Sequence, residues 1–273
     1  MNVLALDNIS PEQLNEAAEV NMVTHMSWVQ GRTEGMLVMA DDQLTVIDSG
    51  LPCDTFNFVC RARLKEDSMR ERIDRAVAHF NSVKRPFSWW FGPADKPASL
   101  GQALIEAGFN AAESEVAMAA DLDALNLTEL APHGLRIQRA TTPKHILDFS
   151  MVNAVNWTPP DQDVIRFYQT ATPVLLDPDS PLWIYVGYLG DEAVSTAELT
   201  VGGDVVGLYN IATLDAHRRK GIGSALTLRP LLDARKQGFR TAILQASSDG
   251  LGVYKRLGFK EAGHFTEYQL PKV

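Results

Sequence analysis

The residues whose types and spacing best suit chemistry form one short basic run with two glycines, from His217 to Ser224. The run follows an apolar, strand-like segment over 205–213 and opens onto a helical pattern over 225–237. A strand, a tight turn and a helix in that order can build an anion site. The first-turn N–H groups of a helix lack intrahelical partners and carry the positive end of the helix dipole. Glycines allow close approach of the backbone, and basic side chains add charge. The run therefore indicates a pyrophosphate cradle, and coenzyme A is the cofactor that it suggests.

Other phosphate-binding patterns fit this run less well. The spacing Arg218-x-x-Gly221-x-Gly223 lacks the third glycine of the dinucleotide fingerprint and its acidic residue about 20 positions on. No Gly-Lys-Ser/Thr follows four spacer residues, so the run is not a Walker loop. Taken alone, the run fits an ordinary strand-to-helix turn with solvated arginines equally well. The residues downstream decide between the two.

With those residues included, the chain resembles the GNAT superfamily of acyl-CoA-dependent N-acetyltransferases from about residue 135 to the C terminus. The family's glycine motif is Arg/Gln-x-x-Gly-x-Gly/Ala. The elements that carry the resemblance are, in order, Arg218, Gly221 and Gly223 of that motif, a strand over 241–246, a short helix over 248–257, and Tyr254 followed by Gly258-Phe259.

The resemblance implies acetyl-CoA as cosubstrate and a place for each part of it. The strand that ends at residue 213 would diverge from the strand over 241–246 and admit the pantetheine arm. A peptide-like arm can pair with strand N–H and C=O groups that have no other partner. The residues that this comparison assigns to the cofactor are Ile211, Ala212 and Thr213 for pantetheine, and Arg218, Arg219, Lys220, Gly221, Ile222, Gly223 and Ser224 for pyrophosphate.

Acetyl transfer to an amine needs a neutral nucleophile and a proton for the leaving thiolate. An alkylammonium with a pKa near 10 is neutral in only about one part in a thousand at pH 7, so a general base helps. Tyr254 falls where the family places its catalytic tyrosine and is the candidate general acid. Many family members carry a glutamate near the position of Gly207, but no carboxylate occurs over 205–214. Asn210 can orient a water or the acceptor, and Glu198 on the preceding strand is the nearest candidate base, so the base stays open.

The composition of the chain limits the class of protein, its location and its possible ligands. The chain has 273 residues, 45% of them hydrophobic and 22% charged, as in a globular protein. No apolar run is long enough to span a membrane and no signal peptide is evident, so we expect a cytoplasmic protein. Cys53 and Cys60, in a predicted loop-to-helix segment, are expected to be reduced, and the scattered histidines predict no metal site. Residues 1–133 carry a net charge of −10 and residues 134–273 one of +1, which argues against nucleic-acid binding.

The two halves of the chain show a similar order of elements. The first half predicts a hairpin over 36–48, a helix over 64–81, a strand over 87–91, a helix over 99–107 and a strand over 115–120. Gly108-Phe109 after a helix parallels Gly258-Phe259, but no Arg-x-x-Gly-x-Gly precedes the strand of this half. The polar stretch 128–134 is the predicted boundary. Duplication accounts for this order, and an unrelated α/β domain is the alternative.

These observations predict an α/β protein, an α+β mixed sheet with flanking helices. It would hold two GNAT-like domains in tandem, a degenerate one over 1–130 and a catalytic one over 134–273. We expect an N-acetyltransferase that uses acetyl-CoA and a small-molecule or peptide amine by direct attack in a ternary complex. The alternatives are a non-catalytic CoA-binding regulatory or scaffold protein, a module for another nucleotide, and a transferase of longer acyl chains. Oligomeric state is not predicted.

Overall fold

A computed structural model describes residues 4–125 and 131–271. Its helices are α1 (Pro11–Ser27), α2 (Met69–Val83), α3 (Leu100–Glu106), α4 (Pro143–Ala154), α5 (Gln162–Leu175), α6 (Ile222–Lys236) and α7 (Ser248–Leu257). Its strands are β1 (Leu37–Ala40), β2 (Thr45–Asp48), β3 (Phe58–Cys60), β4 (Ser88–Phe91), β5 (Asn110–Asp121), β6 (Leu135–Arg139), β7 (Leu182–Leu189), β8 (Glu192–Gly202), β9 (Val205–Thr213), β10 (Thr241–Ala246) and β11 (Lys260–Gln269).

All of these strands join one mixed sheet in the order β1-β2-β3-β4-β11-β5-β10-β9-β8-β7-β6. Strands β1–β4 form one side of the sheet and β6–β10 the other. The last strand of each half has crossed into the other half: β5 is antiparallel to β10, and β11 is antiparallel to β4. The two crossed strands also pair with each other along most of their length. The predicted mixed α/β fold is confirmed.

Several predicted elements are present, with shifted ends. The hairpin is β1–β2, and the predicted strand over 115–120 is the longer β5. Helix α2 begins at Met69 instead of residue 64, because the N–H of Leu64 donates to the carbonyl of Lys96. The loop-to-helix prediction for 53–60 is wrong, since this segment is a short turn that leads into β3. Both of its cysteines are buried and unpaired, and burial raises the pKa of both thiols.

Helix α1 belongs to the first half of the chain and packs on strands of the second half. This helix is absent from the sequence predictions. Its start is fixed by a capping box in which Ser10 and Gln13 satisfy each other's backbone N–H groups. In its middle, the fully buried Asn21 donates through Nδ2 to the carbonyls of Thr200, Gly202 and Val205 at 2.9–3.2 Å. These bonds hold α1 across β8 and β9.

The predicted boundary lies at the edge of the described structure. Residues 128–130 of the stretch 128–134 fall outside the described residues, and 131–134 form a short connection into β6. The sheet itself continues across the two halves, because β5 and β11 lie between β4 and β10.

Candidate functional site

The parallel strands β9 and β10 diverge. Their pairing covers Val206–Leu208 against Ala242–Leu244 and ends there, although both strands continue. Past this point β9 carries a bulge, where Asn210 adopts a positive φ of 51° and two residues of β9 oppose one of β8. The result is a V-shaped opening in the sheet, between 209–213 and 245–246.

The glycine turn lies at the mouth of this opening. Gly221 has a φ of 80°, a conformation that suits glycine, and it begins α6 without a side-chain cap on the first-turn N–H groups. A Cβ at Gly223 would lie 3.4 Å from Oγ1 of Thr213, which places the first turn of α6 against the end of β9. Arg218 donates from Nε to the carbonyl of Thr213 at 3.0 Å and so stays close to the turn. A first turn that is uncapped and flanked by basic residues can bind an anion.

Two cavities adjoin the opening on the face covered by α1. The larger, of about 520 Å³, is an open cleft that includes Tyr209, Gln245 and Tyr254 in its wall. The smaller, of about 130 Å³, is a chamber between α1, α4 and α5. Both halves of the chain line both cavities. The residues common to the two are His25, Met26, Thr55, Phe58, Trp157, Asn210 and Ile211.

Glu198 lies at the centre of a hydrogen-bond network beside the chamber. Its carboxylate contacts Nδ1 of His25 at 2.7 Å and accepts from Oγ1 of Thr200 at 2.9 Å and from Nδ2 of Asn210 at 3.0 Å. The same amide of Asn210 also donates to Tyr168 Oη at 3.0 Å. Burial alone would raise the pKa of Glu198, but the charge that His25 carries when it is protonated and these hydrogen bonds hold it below its usual value. Glu198 is therefore a buried carboxylate that orients His25 and Asn210.

A second group of carboxylates lines the cleft from the crossed strands. Glu113 and Glu115 come from β5, and Glu267 comes from β11, where it lies opposite Trp90 of β4. Burial, then the negative charges of Glu113 and Glu267, raises the pKa of Glu115 to about 7. Burial, then the charge of Glu115, raises the pKa of Tyr254 to about 12, so the phenol stays protonated at neutral pH. Tyr254 can therefore donate a proton inside the cleft.

The predicted site residues thus fall around one opening. Tyr254, Asn210 and Ile211 line the cleft, Glu198 lies behind His25 in the chamber, and the turn 218–224 lies at the mouth. The sequence predictions missed His25, Glu115 and the other two glutamates. The alternation of Glu113 and Glu115 places both on one face of a strand, but nothing local links them to Glu267 or to the cleft.

Comparison with known proteins agrees with this geometry. The family model for the acetyltransferase (GNAT) domain matches residues 180–261, from just before β7 into β11. Residues 180–261 form a GNAT acetyltransferase domain. No curated protein matches the chain in sequence.

Solved structures resemble the chain beyond the GNAT domain. A GCN5-related N-acetyltransferase from Kribbella flavida is similar at 17% identity with a TM-score of 0.71, over 93% of this chain and 96% of that one. A tandem GNAT protein from the clavulanic acid biosynthesis pathway is similar at 12% identity with a TM-score of 0.64, over 99% and 98%. A GCN5-related N-acetyltransferase from Sphaerobacter thermophilus is similar at 11% identity with a TM-score of 0.60, over 97% and 95%. At these identities the likeness is one of fold, and one of the similar structures is a tandem GNAT protein.

Two further features of the structure concern metal sites and membrane-spanning helices. Among residues 4–125 and 131–271, no cluster of three or more His, Cys, Asp or Glu side chains is arranged to hold a metal ion. No helix in that part of the chain is both long and apolar enough to cross a membrane.

Proposed function

We propose that this protein is an acetyl-CoA-dependent N-acetyltransferase that acetylates a small-molecule or peptide amine by direct attack in a ternary complex. The observation that carries the proposal is the opening between β9 and β10 with the uncapped start of α6 at its mouth. A linear thioester cofactor with an anionic end fits an opening that leads from an anion cradle into a cleft.

The cofactor contacts follow from the backbone. The N–H groups of 219–224 would hold the pyrophosphate, with Arg218 and Lys220 beside them. The carbonyls of Ala212 and Thr213 already accept side-chain hydrogen bonds from Ser195 and Arg218. We therefore assign the main strand-like contact of the pantetheine arm to Ile211, next to the bulge.

The reaction needs no acyl-enzyme. The amine nitrogen attacks the thioester carbonyl, an N–H of β9 near the bulge stabilises the oxyanion, and the C–S bond breaks. Tyr254 gives its phenolic proton to the departing sulfur and is reprotonated from solvent.

We also propose that the chain holds two acetyltransferase-like units, over 1–130 and 134–273, and that the first has lost cofactor binding. Its parallel pair β3–β4 is the counterpart of β9–β10 but is closed at its end. Asp95 accepts from the N–H groups of Ala62 and Gly92, which follow the two strands, and Arg63 and Lys96 extend the pairing by a further bridge. A carboxylate thus lies where an opening would have to form.

Calorimetry with acetyl-CoA and CoA tests the proposal. Gly221→Asn and Gly221→Asp impose the same φ on similar side chains, and a Cβ there has its nearest contact at 3.7 Å, so the two differ mainly in charge. One charge at about 4 Å is worth about 1 kcal/mol in water and about 4 at an effective dielectric constant of 20. We expect the aspartate variant to bind roughly 5- to 1,000-fold more weakly than the asparagine variant. Equal affinities would mean that no anion lies at this turn.

Turnover separates the enzyme from the non-catalytic alternative. Release of free thiol from acetyl-CoA is measured with benzylamine, putrescine and lysine methyl ester as acceptors. Tight binding without thiol release from any amine would favour a CoA-binding regulatory protein.

A further inference from the structure

His25 stands where the cleft and the chamber meet. It comes from α1 of the first half, stacks on the ring of Tyr209 at 3.9 Å between centroids, and lines both cavities. Its Nδ1 lies 2.7 Å from Oε1 of Glu198, while Nε2 has no hydrogen-bond partner within residues 4–125 and 131–271. The ring is therefore held on one face and at one nitrogen, and its other nitrogen is left for a ligand.

The partner of Nδ1 fixes the tautomer. An ionised carboxylate can only accept hydrogen bonds, so Nδ1 of His25 carries the hydrogen and donates it to Glu198. In a neutral imidazole with its hydrogen on Nδ1, the lone pair lies on Nε2. A negative charge behind the ring also stabilises the imidazolium that forms when Nε2 takes a proton.

The structure also excludes a base at the position where the sequence comparison expects one. A Cβ at Gly207 would lie 2.0 Å from Oδ1 of Asn21 and 2.6 Å from Cε2 of Tyr209. The space above β9 at this point is filled by α1, so no glutamate fits. The same helix places His25 one turn further along, over Tyr209.

We propose that His25, contributed by the first half of the chain, is the general base of the acetyl transfer, and that Glu198 and Asn210 are positioning residues. The inference rests on the proposed function. As the neutral amine forms its N–C bond to the thioester carbonyl, Nε2 of His25 takes the proton from the attacking nitrogen. The C–S bond then breaks, and the sulfur receives its proton from Tyr254. His25 returns its proton to solvent after the products leave, so the transfer balances without any other reactant.

Several ionisable groups face His25 and are the alternatives to it as the general base. Glu198 and Tyr209 are in direct contact with the ring. The others face it across the two cavities: Asp54, Glu113, Glu115, Tyr168, Tyr254 and Glu267. Of these, Glu115 is the strongest alternative as base, because burial raises the pKa of its carboxyl group to about 7.

The pH dependence of kcat/KM distinguishes His25 from Glu115 as the general base. It is measured with acetyl-CoA and the best amine of the panel as substrates. The variants are His25→Gln, Glu198→Gln and Glu115→Gln. His79→Gln is the matched control, since His79 pairs with Asp48 at 3.0 Å and is 21% exposed, against 20% for His25, but lies outside both cavities. CoA affinity is measured for each variant.

We expect His25→Gln to lower kcat/KM roughly 10²- to 10⁴-fold and to remove the limb that rises toward neutral pH, with CoA affinity retained. Glu198→Gln should shift that limb, and His79→Gln should change neither. If Glu115→Gln removes the limb while His25→Gln keeps it, the proposal is overturned. If CoA binds but no amine in the panel is acetylated, the transferase function fails instead, and the base assignment falls with it.

A measurement without an acceptor tests the geometry on the same full-length chain. Spectra of the protein with ¹⁵N-labelled histidine report which ring nitrogen of His25 carries the hydrogen. We expect the Nδ1–H form in the wild type and a shift toward the Nε2–H form in Glu198→Gln. A dominant Nε2–H form in the wild type would contradict the proposed role, because Nε2 would then have no lone pair for the amine proton.

Discussion

The substitution Gly207→Ala tests most directly how the two halves of this chain fit together. Its new Cβ would lie 2.0 Å from Oδ1 of Asn21, on the helix that crosses β9. Asn21 cannot yield freely, because its Nδ2 donates to three strand carbonyls and its Oδ1 accepts from Tyr209 Oη at 2.9 Å.

The cost can be worked from these contacts. Overpacking a tight site costs typically about 1–3 kcal/mol, and displacing a buried hydrogen-bonded amide adds about 1–3 kcal/mol. We expect Gly207→Ala to lower the free energy of unfolding by about 2–6 kcal/mol. Asn21→Ala alone should cost about 1–3 kcal/mol, since it leaves buried carbonyls without a donor. In that background the contact with Asn21 is gone, but the new Cβ still lies 2.6 Å from Cε2 of Tyr209. Gly207→Ala should therefore still be destabilising, but by about 1–3 kcal/mol less than in the wild type, a coupling within the usual range for residues in contact.

Urea unfolding followed by circular dichroism measures all four proteins of this cycle. Gly252→Ala is the control for glycine replacement as such. It lies inside α7 with only a flexible arginine end at 3.5 Å, and we expect it to gain about 0.5–1 kcal/mol. If Gly207→Ala lowers the free energy of unfolding equally in the wild type and in the Asn21→Ala background, the reasoning that α1 fills the position above β9 is refuted.

Four further predictions follow from the cleft and the sheet. Tyr254→Phe should lower kcat with little change in CoA affinity, and unaltered turnover would remove it as the acid. Folding raises the pKa of Glu115 from about 4.5 to about 7, so this group lowers stability as pH rises through that window. Glu115→Gln should therefore be more stable than the wild type at pH 8, by at most about 3 kcal/mol, but not at pH 4.5; a difference independent of pH would contradict this. Calorimetry should give one CoA per chain, because the opening at β3–β4 is closed, and two would disprove that closure. Residues 134–273 alone should aggregate, since β10 and β11 lose β5, and co-expression with residues 1–130 should restore a soluble complex; a soluble fragment that binds CoA would show that the crossed strands are dispensable.

The turn and helix start that we propose for the cofactor could be located from the sequence because their signals are local. A positive φ at Gly221, an uncapped helix start and flanking basic residues are all properties of one short segment. Strands β9 and β10 and helix α7 are likewise expected from short stretches of neighbouring residues. For the same reason the predicted ends are the least accurate, as at α2, where a bond from Leu64 to the distant Lys96 delays the helix.

The cleft that we propose for the acceptor could not be predicted because it is assembled across the chain. His25 meets Glu198 over 173 positions, and Glu267 reaches the cleft only because β11 has crossed to lie beside β4 and β5. No spacing in the sequence encodes such pairings. Trp90 illustrates the limit: the aromatic run 89–91 suggests core and turn, and Trp89 is indeed fully buried, yet its neighbour lines the cleft.

The strand pairs β3–β4 and β9–β10 differ in what lies at the end of their pairing. In the second half, the pairing of β9 with β10 stops at Leu208, and β9 then bulges at Asn210, whose carbonyl accepts from Oγ1 of Thr196 on β8. In the first half, Asp95 satisfies the corresponding N–H groups internally, so a cofactor phosphate would meet a buried carboxylate in place of free donors. This closed strand pair lies beside β11 and below α1, the two elements that bring Glu267 and His25 into the cleft. In the proposed tandem arrangement, the closed strand pair of the first half thus supports the elements that supply His25 and Glu267 and has no cofactor opening of its own.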